Sequence, residues 1–220
     1  VQLVHAQGTL WQGRAELVLT GGGGSRDATA LPQGLGWRIA PAWQGGPAVR
    51  AMLQAPCCMA QPMVLTLRAL WGGAALHWPA HQSQWPTALL TGLGTPWNTL
   101  QLDGQLRLTH PGLDMRWQQG RLALRGDLDI DALSLASRLS TLRPLGSYRL
   151  RLQAGGDSGA QLRLSTLDGA LRLSGDGQWV GGRLRFNGEA EAREDAEAAL
   201  ANLLNILGKR SGRRSRIALG

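Results

Sequence analysis

The sequence predicts a mainly β protein: a curved antiparallel meander sheet, open or partly closed into a barrel, ending in one C-terminal α-helix and a short strand. Three observations carry this reading. Leu alternates with Arg, Gln and Thr at period two from about residue 97 onward, which gives each strand one apolar and one polar face. The 31 glycines in 220 residues, about twice the usual share, supply many turns. One stretch near the C-terminus, rich in Ala, Glu and Leu, has helical period instead.

Taken in order, the first ninety residues are the noisier part. Leu10-Trp11-Gln12-Gly13-Arg14-Ala15-Glu16-Leu17 opens a first hairpin, and the run Gly21 to Ser25 reads as a linker or a mobile hairpin loop. Strands are expected at Trp37 to Ile39, Val49 to Leu53, Met63 to Ala69 and Ala75 to Trp78, with prolines between them. The regular meander begins with Leu100, Leu102, Leu106 and Leu108, interleaved with polar residues. It continues through Arg121 to Arg125, Tyr148 to Gln153, Gln161 to Leu164, Leu171 to Leu173 and Arg183 to Phe186. We therefore expect one domain over 1–220, with an irregular half at 1–92 and a regular half at 93–220.

A weak repeat joins Leu102 to Leu108 with Leu167 to Leu173. Each copy is followed by a Trp (Trp117, Trp179) and then by Gly-Arg-Leu, so we read duplicated hairpins. The helix is expected over Ala190 to Leu207, with Ala196, Leu200, Leu203, Leu204 and Leu207 as its apolar stripe. Its acids, Glu191, Glu194, Asp195 and Glu197, fall in the first turns, and Gly208 stands at the C′ position. Arg214 to Leu219 alternates again as a last strand.

Charge is uneven. The chain carries +8, of which Lys209, Arg210, Arg213, Arg214 and Arg216 supply five within the last twelve residues. The remaining 208 residues hold only +3, with arginines scattered singly as on a solvated sheet face. That distribution argues against nucleic acid as a partner. The basic tail is a solubilising terminus, or a candidate interaction surface for acidic lipid headgroups, nucleic acid or an acidic partner. Nine tryptophans against one Tyr and one Phe make Trp the main large ring, expected in core layers or a surface groove.

Signatures of chemistry are scarce. There is no nucleophile elbow, phosphate-binding loop or dinucleotide fingerprint, and no catalytic residue or cofactor is expected. Asp103, Asp114, Asp168 and Asp176 read as turn formers. His77 and His81 with Cys57 and Cys58 are the sharpest metal candidates. Adjacent cysteines chelate poorly and Pro79 forbids a helix joining the histidines, so no metal is expected. Cys57 and Cys58 are free thiols or a vicinal disulfide. If the sheet stays open, its Leu-lined face is either ordinary core or an acyl-chain groove, and the latter would make the chain a lipid-handling module.

Several segments together resemble one family, protein N of the bacterial type II secretion system (general secretion pathway protein N). They are Gly8-Thr9-Leu10-Trp11-Gln12-Gly13-Arg14-Ala15, Gly94-Thr95-Pro96-Trp97-Asn98-Thr99-Leu100, Leu142-Arg143-Pro144-Leu145-Gly146-Ser147-Tyr148-Arg149, Asn202 to Arg210, and Arg214-Ser215-Arg216-Ile217. The resemblance implies a single-pass inner-membrane protein whose periplasmic domain is this chain, with its transmembrane helix upstream of Val1. It also implies an accessory, non-enzymatic part of the secretion machinery that touches the inner-membrane platform or the outer-membrane secretin. The family pattern supplies no catalytic residues, and a periplasmic home permits oxidation of the cysteines.

Overall fold

The computed structural model describes residues 1–21, 28–95, 97–156, 159–180 and 183–220. Fifteen strands form one antiparallel sheet. The first seven are β1 (Gln2–Gly8), β2 (Gln12–Thr20), β3 (Ala28–Ala30), β4 (Leu35–Trp43), β5 (Pro47–Gln54), β6 (Met63–Leu70) and β7 (Gly73–Pro86). A 3₁₀ segment, Thr87–Leu93, and a single helical turn, α1 (Trp97–Leu100), lead into β8 (Leu102–Gln118), β9 (Arg121–Ser137), β10 (Gly146–Gly156) and β11 (Ala160–Gly169). There follow β12 (Leu171–Val180), β13 (Arg183–Ala192), α2 (Glu197–Leu207), β14 (Lys209–Ser211) and β15 (Arg214–Leu219).

Neighbours in the sheet follow chain order almost throughout, with β3 extending the β4 side of β2 and β15 lying between β13 and β14. The sheet does not close: β1 is one edge and β14 the other. The expected meander and terminal helix are therefore present, as an open sheet.

Because a meander alternates its connections, the chain crosses at two opposite ends of the sheet. One end holds the tight hairpin tips after β1, β4, β6, β8, β10 and β12. The other holds the long connections after β2, β5, β7, β9 and β13, including every helical segment. Both hydrophobic clusters sit at that second end. The larger joins Leu100, Leu135, Leu145, Tyr148, Leu171 and Ala190 with Leu200, Leu203 and Leu204 of α2. The smaller joins Leu31, Ala55, Cys58, Met59 and Leu89.

Side-chain bonds lock the long connections down, as buried polar groups require. Ser137 Oγ donates to Leu100 O (2.5 Å), Ser140 Oγ to Ala199 O (2.9 Å), and Tyr148 OH to Leu171 O (2.9 Å).

Several local expectations change. The helix begins at Glu197, because Ala190 and Ala192 are taken into β13, where Ala190 pairs with both Leu173 and Ser215. Two alanines with no exposed surface fit under α2, and that packing outweighs their helix propensity. Gly208 is extended (φ 171) and no left-handed cap; a Cβ there would strike the backbone of Arg216. Leu100 belongs to α1 instead of opening the meander.

The repeat is only partly structural. Asp103-Gly104 is a bulge inside β8, whereas Asp168-Gly169 turns from β11 into β12. Gly169 (φ +131) has Gly146 Cα and Leu145 O where a Cβ would stand, so only glycine fits this turn. Asp114 and Asp176 lie within strands and bond across them, to His77 and Arg163, instead of forming turns. The Gly22 to Ser25 portion of the glycine run lies outside the described residues.

Candidate functional site

Register places the inward apolar residues of β4 to β9 in rows. One row runs Pro41, Val49, Leu67, Leu76, Met115 and Leu124, each opposite the next across a strand pair. Nearer the hairpin tips, Trp43 faces Pro47, Ala74 faces Trp117, and Trp117 faces Leu122. The face is sealed by the two clusters at the far end, but Val49, Leu67, Trp117 and Leu122 are exposed toward the tips. An open sheet whose apolar face is stoppered at one end and uncovered at the other is the central feature of the molecule.

The opposite face is polar and organised by cross-strand ion pairs. Arg149 makes a two-pronged bond to Asp131 (2.6 and 2.8 Å), and Arg151 to Asp129 (2.7 and 2.9 Å). The Arg151 guanidinium, overcoming some desolvation, holds the Asp129 carboxyl below its ordinary range. Arg163 and Asp176 continue the series at 3.1 Å. Two shallow hollows on this face, about 580 and 450 Å³, are lined largely by these and neighbouring polar residues.

The C-terminal basic residues are built into the sheet edge and largely neutralised there. Arg210 reaches Glu197 (3.4 Å), Arg213 reaches Glu194 (3.5 Å), and Arg214 lies between Glu189 (3.2 Å) and Glu191 (3.3 Å). Lys209 and Arg216 are register partners on β14 and β15. Three of the five charges thus form a seam with the acids of β13 and those around the start of α2, and all five lie on or beside β14 and β15 instead of on a separate basic arm.

Cys57 and Cys58 are joined as a vicinal disulfide in the β5–β6 connection, and Cys58 is buried in the smaller cluster beside Met59. His77 and His81 point to different sides, because alternation changes parity at Pro79-Ala80. His77 Nδ1 lies 2.8 Å from Asp114 Oδ1 on the polar face. His81 faces His110 across β7–β8, with the Trp78 ring 4.2 Å from that of His110. Among the described residues neither His110 nitrogen has a hydrogen-bond partner, nor does His81 Nε2. Burial lowers the pKa of both, and for His110 the nearby His81 adds to the effect. The sequence singles out His81 only together with His77, and the alternating apolar pattern gives no sign that its cross-strand partner is His110.

Among the described residues no three His, Cys, Asp or Glu side chains gather as a metal-binding group. Nor, among the described residues, is any helix long and apolar enough to cross a membrane.

The family described as type II secretion system (T2SS), protein N, matches residues 1–217, nearly the whole chain. The chain belongs to that family. No curated protein and no solved structure matches it. Membership of the protein N family ties this open sheet to the type II secretion machinery and to protein transport. The family segments noted in the sequence fall at two places in the fold. Gly8 to Ala15 is the first hairpin tip, while the others build the stoppered end around α1, the β9–β10 connection and α2.

Proposed function

We propose that the chain is an accessory, non-catalytic component of type II secretion, acting in the periplasm from an inner-membrane anchor. In this reading it contacts the inner-membrane platform or the outer-membrane secretin. The observation that carries the proposal is the family match over residues 1–217. The fold supports it: a single extended layer with two free strand edges and a polar outer face offers surface for assembly. The vicinal disulfide accords with an oxidising compartment. In cells making the anchored protein, photo-crosslinkers along β1 and β14 should trap other secretion components. Intact secretion after deletion of the gene, with no crosslink to the apparatus, would overturn the reading.

A second reading is favoured by one observation, the uncovered part of the apolar face at Val49, Leu67 and Leu122. An acyl chain lying on it would make the domain a lipid-handling module. Native mass spectrometry after gentle purification should then show retained lipid, and a bare chain at full occupancy counts against it.

A further inference from the structure

We propose that the row of hairpin tips is a membrane-docking edge that rests on an anionic phospholipid surface. Five of the nine tryptophans lie at this one end. Trp11 sits in the β1–β2 turn, Trp43 ends β4, Trp71 forms the β6–β7 turn, and Trp117 and Trp179 lie one or two residues from the ends of β8 and β12. All are exposed: Trp71 by 98%, Trp43 by 75%, and the other three by about half. Isolated exposed apolar residues are ordinary, and the stoppered end has them in Leu93, Leu167 and Ile206. It exposes no tryptophan among the described residues, because Trp85 and Trp97 pack against the clusters there. The concentration of indoles at one end is therefore not a by-product of composition.

Cations are present beside the indoles, although they do not by themselves set this end apart. Arg138, Arg143 and Arg172 at the stoppered end are also exposed and in no ion pair among the described residues. Arg116, Arg121 and Arg125 flank the β8–β9 tip, and Arg183 and Arg185 the β12–β13 tip. All five are exposed, and none makes an ion pair among the described residues. Most carboxylates are engaged elsewhere, on the polar face with Arg149, Arg151 and Arg163 and beside α2 with the C-terminal arginines, while Asp127 stands near the tips in no ion pair among the described residues. Asp114, opposite Arg125, is bonded to His77, and Asp157 lies outside the described residues. The end that carries the indoles thus also carries exposed cations available to an anionic surface; it is the tryptophans, and not the arginines, that single this end out.

A lipid surface fits this combination better than a protein. Protein hot spots cluster near the centre of a compact patch. Here the indoles are strung along roughly 40 Å of sheet, counting strand spacings from β2 to β12. An indole has an apolar body and one N–H, which suits the boundary between headgroups and acyl chains. Guanidinium groups beside it can bond phosphate oxygens. The exposed apolar rows behind Trp43 and Trp117 continue the same lip.

The test is flotation of the 220-residue chain with phosphatidylcholine vesicles, with and without phosphatidylglycerol. Binding should require the anionic lipid and weaken with salt. Brominated acyl chains should quench part of the tryptophan fluorescence. Replacing Trp43→Ser and Trp71→Ser together should reduce binding at least tenfold, with unchanged circular dichroism and melting temperature because both rings are exposed. The pair Arg116→Glu and Arg121→Glu should do the same through charge. No flotation at low salt, or equal flotation of wild type and both variants, overturns the proposal. So does loss of a captured secretion component in the Trp variant when wild type leaves the vesicles unbound, since the rim would then be a protein interface. The secretion role stands or falls separately, on the crosslinks.

Discussion

Replacing Leu204→Ala in α2 tests whether that helix stoppers the apolar face. Leu204 has no exposed surface and lies in the larger cluster, beside Leu200 and Leu203. Truncating such a leucine removes the transfer energy of three carbons and leaves a cavity, together about 3–4 kcal/mol. For a chain of this size a urea slope of about 3 kcal/mol per molar is expected, so the midpoint should fall by about 1 M. The comparison is Ile206→Ala on the same helix, which is 44% exposed and should cost less than about 1 kcal/mol. Urea unfolding followed by circular dichroism measures both. If the two substitutions shift the midpoint equally, α2 is not seated on the sheet and the stoppered end does not exist in solution.

Three further outcomes follow from the same physics. Tyr148→Phe removes the donor to Leu171 O at a fully buried site and should cost about 1–2 kcal/mol, read from the same unfolding curves. Gly169→Ala should destabilise by more than about 1 kcal/mol, because its positive φ and the backbone of Gly146 leave no room for a methyl group; a neutral effect would contradict the turn. Acid should weaken the fold through His81 and His110, whose folded pKa values lie below the ordinary 6.5. As pH falls below that value the unfolded chain takes up protons first, so their contribution is complete above it and lost down to the folded values. His110→Leu should therefore lose less melting temperature between about pH 7 and pH 5 than wild type does, and identical losses would exclude the pair.

The sequence by itself determined the meander and the two-faced character of its strands, while whether the sheet closes was decided only by the tertiary structure. A period of two dictates one apolar and one polar side wherever it occurs, and Leu150-Arg151-Leu152 has no other way to satisfy both. It determined the apolar stripe of the C-terminal helix for the same reason. The residues around Trp11, Trp97 and Leu142 carried the family resemblance, although nothing in their local pattern shows where they lie in space. Helix start and glycine roles were not legible, since Ala190 and Ala192 become strand only because β15 and α2 enclose them. Nor was the fate of the basic tail: five like charges in line look free until the sheet brings Glu189, Glu191, Glu194 and Glu197 beside three of them. The tryptophan edge is of the same kind. Each Trp is an isolated residue in the chain, and only the regular return of hairpins to one end of an open sheet sets five of them side by side, because strand connectivity, not sequence spacing, fixes which turns share an end.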